Sequence, residues 1–192
     1  MVGPRLYALG VAIKSGAYRF GHDNATLSVH TGRAGAAAKA GHDLVIEVTS
    51  WEATLELAED PAKTSIELSA DATSLRVTKG TGGMQALGDD DKANIDQTID
   101  DEVLKRKDIS FRSTRVEREP GSLGIEGELT LVGKTQPIGF DLAFGDDGTI
   151  SATAVVMQTA WGMKPYSALF GALKVKDEVE VRLEGHFSPQ SL

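Results

Sequence analysis

Two Gly-His-Asp triplets are the residues of this sequence whose types look most suited to chemistry. They occupy positions 21–23 and 41–43, and each precedes a stretch in which apolar and polar residues alternate. An imidazole beside a carboxylate could act as an acid–base pair. Adjacent strand residues point to opposite faces of a sheet, however, so sequence neighbours form no such pair without a turn. We therefore interpret the triplets as turns that introduce strands, in which the Asp side chain accepts a local backbone hydrogen bond.

Histidines from separate predicted strands could form a second kind of site, a metal or acid–base centre. Their spacing neither supports nor excludes a shared metal ion. They are His22, His30, His42 and His186. A His-dependent metal-binding or acid–base enzyme on a β-barrel is thus the alternative to a purely structural role.

Other chemical motifs are weaker. The stretch "GTGG" at 80–83 lacks the Lys-Ser/Thr and the strand–helix frame of a phosphate-binding loop, and 89–91, all Asp, lacks EF-hand spacing. There is no Gly-x-Ser-x-Gly, and the absence of Cys removes thiolate zinc sites, disulfides and Cys nucleophiles. We expect no enzymatic activity, no catalytic residue, no metal and no cofactor.

Composition narrows the class of partner. A chain of 192 residues fits one domain, and a net charge of -8 favours solubility and disfavours nucleic acid or an anionic membrane, unless a local basic patch exists. The apolar run at 6–13 is too short to span a bilayer and lacks a cleavage site. We therefore expect a cytoplasmic protein with no integral membrane segment.

Alternation at period two recurs along most of the chain and predicts about eight antiparallel strands. The even-numbered Leu44, Ile46 and Val48 are followed by odd-numbered apolar residues from Trp51 onward, which predicts a bulge or corner at Thr49-Ser50. Turn signals occur at 59–63, 119–122 and 145–148. Helix–strand alternation is missing, so the fold class is mainly all-β, a barrel of about eight strands with one or two short helices.

Two segments depart from this pattern. Residues 88–108 carry Ile95, Ile99 and Val103 on one helical face, with acids at the start and 105–107, Lys-Arg-Lys, predicted at the end, as a helix dipole favours. The Gly-rich stretch 79–88 before it is predicted to be a mobile loop. Segment 160–176 is apolar without alternation, and it would either cap a closed core or line the mouth of a tunnel.

Small residues at predicted inward positions bear on whether the barrel is hollow. Aromatic residues make up only 6% of the chain, and small side chains leave space. The small residues are Gly127, Gly133, Ala152, Ala154, Ala160 and Gly185. Small barrels either fill the lumen with side chains or hold one ligand, and composition alone leaves both open.

The stretch "GELTLVGKTQPIGFDLAF" (127–144) is similar to the YceI-like family of lipocalin-like polyisoprenoid-binding proteins. The matching positions include Leu129, Leu131, Gly133, Thr135 and Pro137. Segments 107–117 and 177–187 also resemble strands of that family, so the resemblance covers about 16–188. We therefore divide the chain into an N-terminal segment 1–15, a YceI-like barrel domain 16–188 and a C-terminal tail 189–192.

This sequence departs from the family pattern in two places. The family's polar signature before its helix is replaced by "KGTGGMQALGDDDKANIDQTI", so no role is transferred to those positions. The start of the sequence also does not resemble the secretion signal common in periplasmic members, so a periplasmic location is not expected.

The resemblance implies a lipocalin-like antiparallel barrel around a long isoprenoid chain, sometimes one with a quinone head. The expected function is carriage or storage of such a lipid, a long apolar small molecule, in the lumen. The predicted ligand-binding residues are Leu44, Ile46, Trp51, Phe111, Leu129, Leu131, Phe140, Val156, Trp161, Met163, Tyr166, Phe170 and Leu173. The other alternative is a filled barrel that binds a protein through 160–176, and exposed edges would allow a homodimer.

Overall fold

The computed structural model of the chain describes residues 6–8, 11–13 and 15–186. Strands dominate, as the alternation predicts. They are β1 (Leu6–Ala8), β2 (Val11–Ile13), β3 (Gly16–Gly21), β4 (Ala25–His30), β5 (Arg33–Ala34), β6 (His42–Val48), β7 (Trp51–Leu57), β8 (Ser65–Ala70), β9 (Leu75–Gly82), β10 (Ile109–Glu119), β11 (Ser122–Leu131), β12 (Lys134–Phe144), β13 (Thr149–Met157), β14 (Ser167–Ala168), β15 (Leu173–Val175) and β16 (Glu178–His186). The predicted tail 189–192, most of segment 1–15 and the predicted final strand residue Phe187 lie outside the described residues.

Among the residues that the structure describes, helical structure is limited to one α-helix and short turns. Helix α1 (Asp89–Thr98) continues into a π-helical turn, Ile99–Val103. Four 3-10 turns occur at Ala38–Ala40, Pro61–Lys63, Gln158–Trp161 and Leu169–Gly171. None of the described helices is both long and apolar enough to cross a membrane.

The main sheet is antiparallel and curls into a barrel. Starting at β10, the neighbours are β11, β12, β13, β16, β4 and β6. Strand β6 bends into β7, which pairs with β8, and β8 pairs with β10, so the path returns to its start. Counting β3/β4, β6/β7 and β8/β9 as three bent strands, eight strands surround the axis, which confirms the predicted fold class.

The bend between β6 and β7 lies where the apolar phase changes. Val48 and Trp51 are both buried, so the two residues between them switch the inward register from even to odd. The Thr49 amide and hydroxyl both donate to the Ser74 carbonyl at 2.9 Å, and the Asp71 amide donates to Ser50 O at 3.0 Å. The corner of β6/β7 therefore packs against the corner of β8/β9, and the predicted bend is confirmed.

Helix α1 covers the gap beyond the point where β9 separates from β10. Its half-buried Ile95, Ile99 and Val103 pack against the core, and Asp96 Oδ1 accepts the Val77 amide of β9 at 2.8 Å. The predicted helical face is confirmed. The prediction that the basic residues end this helix is wrong, because helical structure stops at Val103 and both Lys105 and Arg106 are left-handed, with φ of 55° and 54°.

The predicted loop at 79–88 is also partly wrong. Its first four residues extend β9 and pair with β6, from Lys79 opposite Val45 to Gly82 opposite His42. Glycines do not prevent β9 from pairing with β6, because the hydrogen bonds between the two strands are made by backbone groups. The remaining residues, 83–88, connect β9 to α1.

One half of the barrel is filled. Around the hairpin turns at 59–63, 119–122 and 145–148, Leu57 is 2% exposed and Leu123 is 0% exposed. Ile125 and Val116 are also buried there. Side chains therefore fill and close the barrel at this end.

Candidate functional site

A cavity of about 540 Å³ occupies the half of the barrel nearest α1 and β15. Its floor is formed by Phe20, Ala53, Leu55, Leu142 and Ile150, directly above the packed half. Inward residues of the barrel strands form the walls, because side chains two positions apart share a face of a strand. The volume lies within the roughly 300–1,000 Å³ of pockets that enclose one small molecule.

Ten of the predicted ligand-binding residues line this cavity. They are Leu44, Ile46, Phe111, Leu129, Leu131, Phe140, Val156, Met163, Tyr166 and Leu173. They come from five strands and from segment 160–176, so the barrel brings together residues that are far apart in the chain. Their role in binding stays a prediction, but the fold places them around one space.

The other three predicted residues do not line the cavity. Trp51 is 7% exposed and lies beside the corner between β6 and β7. Trp161 is 4% exposed, and its indole N–H donates to Leu129 O at 2.8 Å, so it anchors the 3-10 turn at 158–161 to β11. Phe170 is fully exposed, in a left-handed backbone conformation.

Several lining residues were absent from the predicted set. Helix α1 and the following turn contribute Ile95, Ile99 and Val103, the apolar face that the sequence identified without assigning it to the site. Further wall residues are Leu27, Val29, Ile138, Val179, Val181 and Leu183. The period-two signal marked these strand positions too, but it does not distinguish a side chain facing the cavity from one facing the packed half.

The small residues contribute to the cavity unequally. Ala152 and Ala154 line it, as their small size predicts. Gly127 and Gly185 do not, because a Cβ on Gly127 would lie 2.4 Å from Phe111 Cζ and one on Gly185 would lie 2.6 Å from Ala25 Cβ. Neighbouring side chains already occupy those positions. Ala160 is exposed and Gly133 lies in the β11–β12 turn, so the expectation that these four residues open the lumen is wrong.

The mouth of the cavity is bordered by two segments that pack together, residues 30–41 and 158–176, which we call the mouth rim. The three-stranded sheet β14-β15-β5 joins them. Hydrogen bonds from the Ala37 amide to Ala172 O (2.8 Å) and from the Lys176 amide to Gly32 O (2.7 Å) reinforce the junction. Segment 160–176 therefore lines the mouth, the second of the two predicted arrangements.

Polar side chains facing the cavity belong to the mouth rim, to the start of β6 or to α1. They are Thr31, Arg33, His42, Asn94, Thr98, Gln158 and Lys174. Arg33 Nη1 donates to Gly41 O at 2.7 Å, and its backbone amide donates to Asp43 Oδ1 at 2.8 Å. The cavity is thus apolar at its floor and walls and polar near its opening.

Both Gly-His-Asp triplets lie where strands end or begin, as predicted. In the first, Asn24 closes the β3–β4 turn, because Gly21 donates to Asn24 Oδ1 at 2.9 Å and Asn24 donates back to Gly21 O at 3.1 Å. The local acceptor is thus Asn24 and not Asp23. In the second, Asp43 accepts from the distant Arg33 and not from a local amide.

The four histidines do not form a common site. His186 pairs with Thr149 at the packed end, whereas His30 pairs with Val45 near the mouth. His22 Nδ1 lies 3.4 Å from Glu47 Oε1, and His42 Nε2 lies 2.9 Å from Gln85 O. Burial lowers the pKa of His30, whose Nε2 lies 3.1 Å from Ser28 Oγ. Within residues 15–186, no three His, Asp or Glu side chains are grouped as metal ligands.

Comparison with known proteins agrees with this geometry. The family model described as a YceI-like domain matches residues 20–187. The chain belongs to the YceI-like family. A search of curated proteins found no match.

Several solved structures share the fold. The crystal structure of Burkholderia cenocepacia BcnA aligns with a TM-score of 0.58 at 17% identity, over 83% of this chain and 94% of that chain. A Campylobacter jejuni YceI protein, which crystallizes with large solvent channels, aligns with a TM-score of 0.54 at 14% identity, over 76% and 85%. A mutant of the Campylobacter protein was crystallized with a monobromobimane guest. At these identities, the likeness establishes the barrel fold.

Proposed function

We propose that this protein carries or stores a long isoprenoid-like lipid, a polyisoprenoid or an isoprenoid quinone, in the barrel cavity. The observation that carries the proposal is a cavity of about 540 Å³ whose floor and walls are predominantly apolar. Membership of the YceI-like family supports it. The proposal includes no catalytic step.

The energetics favour a long chain over a short one. Each buried methylene contributes ~0.8 kcal/mol, so one five-carbon unit contributes a few kcal/mol. Association costs ~4–15 kcal/mol in lost motion and ordering. Several units must therefore be buried before binding is tight, and the barrel replaces the lipid environment of a chain that water excludes.

The distribution of polar groups supports one orientation of the proposed ligand. The floor residues are apolar, whereas Arg33, His42 and Lys174 lie near the opening. Burying an unpaired polar head group at the floor would be costly, and a head group at the mouth keeps contact with water or with these side chains. We therefore place the apolar end of the lipid at the floor.

A cavity-filling substitution tests the proposal. Ala154→Phe adds a ring at a lining position of β13, and Ala143→Phe adds the same ring at an exposed position of β12. Both proteins, after removal of bound lipid with organic solvent, are titrated with farnesol in a calorimeter. We expect Ala143→Phe to bind like the wild type and Ala154→Phe to bind at least tenfold more weakly.

Two results would count against a lumen site. The first is unchanged farnesol affinity in a folded Ala154→Phe protein. The second is a wild-type protein that binds neither farnesol nor a longer prenol. Thermal unfolding of each variant establishes that the barrel is intact.

A further inference from the structure

Large exposed hydrophobic side chains of the described residues are concentrated at the end of the barrel where the cavity opens. In the described part of the chain, six large hydrophobic side chains are exposed, and four belong to loops at this end. They are Met84, Tyr166, Leu169 and Phe170, with exposures of 82%, 47%, 59% and 113%. Val155 and Met157 lie on β13. Exposed apolar residues gathered on one surface indicate an interaction site.

Leu169 and Phe170 are held outward by the backbone. Their φ angles are 50° and 53°, in the left-handed region that bulky residues rarely adopt. Hydrogen bonds on either side, from Ala172 N to Leu169 O (3.1 Å) and from Val175 N to Tyr166 O (3.0 Å), fix this turn to β15. Two large apolar side chains are thus presented to solvent from a turn with an ordered base.

The mouth rim is rich in basic residues, in a protein whose net charge is -8. The mouth rim contains five basic side chains and no Asp or Glu. They are Arg33, Lys39, Lys164, Lys174 and Lys176. Arg33 faces Asp43 of β6, with Nε 3.8 Å from Oδ1, but the four lysines are exposed and take no part in the ion pairs of residues 15–186.

We propose that the mouth rim is a docking surface for an anionic lipid bilayer. Apolar side chains that enter the interface, surrounded by lysines that reach the head groups, are the features by which peripheral proteins bind such membranes. Tyr166 and Leu173 belong both to this surface and to the cavity lining, so the opening would face the bilayer. An apolar ligand would then pass between membrane and cavity without crossing bulk water.

The charge favours this occupant over a second copy of the chain. In a two-fold dimer formed by this surface, the lysines of one copy would face those of the other and repel them. An anionic bilayer supplies the complementary charge. The proposal concerns the outside of the mouth, so it does not depend on which ligand the cavity takes.

Flotation with vesicles tests the proposal on the whole protein. We expect flotation with vesicles of phosphatidylcholine and phosphatidylglycerol, weak flotation with phosphatidylcholine alone, and loss of binding at high salt. Leu169→Asn together with Phe170→Asn keeps residues that tolerate a left-handed backbone, and should weaken binding more than tenfold. Val155→Thr, which alters an exposed apolar residue of the barrel wall, should bind like the wild type.

Lysine variants test the electrostatic part. Lys39→Gln and Lys164→Gln should each weaken binding to the anionic vesicles by about fivefold. Lys63→Gln, at the packed end of the barrel, should leave it unchanged. Equal flotation of the wild type and the Leu169→Asn/Phe170→Asn protein would overturn the proposal. Absence of flotation, together with a dimer in sedimentation that the double variant converts to a monomer, would also overturn it and assign the surface to a second copy.

Discussion

Asp100 is a buried carboxyl in the π-helical turn after α1. It is 9% exposed, its Oδ1 has no hydrogen-bond partner, and burial raises its pKa above the usual 3.8, although the nearby Arg76 and Arg106 oppose that shift. Ionisation of Asp100 is therefore penalised in the folded protein and not in the unfolded chain.

This gives Asp100→Asn a defined pH dependence. The folded pKa is the higher one, so wild-type stability falls as pH rises from 3.8 through the folded pKa, and the loss is constant above it. The neutral amide has no such loss. We expect the variant to gain melting temperature relative to the wild type at pH 7 and to lose that gain near pH 3. A difference that does not change with pH would contradict the assigned cause.

Packing explains why position 127 is occupied by glycine. A Cβ there would lie 2.4 Å from Phe111 Cζ and 2.6 Å from Arg112 O, so only Gly fits beneath the Phe111 ring. Gly127→Ala should lower the free energy of unfolding by ~1–3 kcal/mol, because the ring must move. On the same strand, Gly124→Ala would meet no atom closer than 3.7 Å and serves as the control. Urea unfolding that ranks the two variants equally would refute this explanation.

Individual residues were the part that sequence predicted least well. Alternation identifies which side chains point inward, and ten of the predicted residues do line the cavity. It does not show that Trp161 donates a hydrogen bond to Leu129 O, or that Phe170 turns outward. Those outcomes depend on contacts between segments that are distant in the chain, which no local pattern records.

At the scale of elements, the corner between β6 and β7 is the feature that closes the barrel. The Thr49 hydroxyl donates to Ser74 O at 2.9 Å and ties this corner to the one between β8 and β9. Thr49→Val removes the donor while keeping the shape, and should cost ~0.5–1.5 kcal/mol of unfolding free energy in chemical denaturation. Thr26→Val, at an exposed position of β4, should be close to neutral. Comparable losses of unfolding free energy for both variants would show that the hydrogen bond from Thr49 to Ser74 does not specifically stabilise the corner.

Element positions were predictable where one physical signal dominates. The phase change after Val48 located the corner, and the spacing of Ile95, Ile99 and Val103 located the helical face. The end of the helix was not predictable from charge, because Lys105 and Arg106 adopt left-handed conformations beyond it. Strand β9 continues through Lys79 to Gly82 since β6 supplies a backbone partner, which outweighs the local preference of glycine for turns.

At the scale of the whole barrel, one half is filled by side chains and the other half is hollow. Leu57, Leu123 and Ile125 fill the base, whereas Ala152 and Ala154 leave room above it. Composition alone left a filled and a hollow barrel equally open, because both use the same alternation. Only the assembled barrel shows which inward residues meet across the axis and which do not.

The clustering of basic residues likewise depends on the tertiary structure. The net charge of -8 argued against an anionic membrane, with a local basic patch as the exception. The basic residues of 30–41 and 158–176 are more than a hundred positions apart in sequence and adjoin through β5 and β15. Their combined surface became apparent only through that pairing.

Native mass spectrometry of the purified protein is the most direct test of a hollow barrel that shelters a lipid. We expect the wild type to show a bound mass that organic solvent extracts as an apolar lipid, or to acquire one on incubation with a polyprenol. Ala143→Phe should keep that bound mass and Ala154→Phe should lose it. A wild-type protein that shows only its bare mass, before and after incubation, would contradict the account.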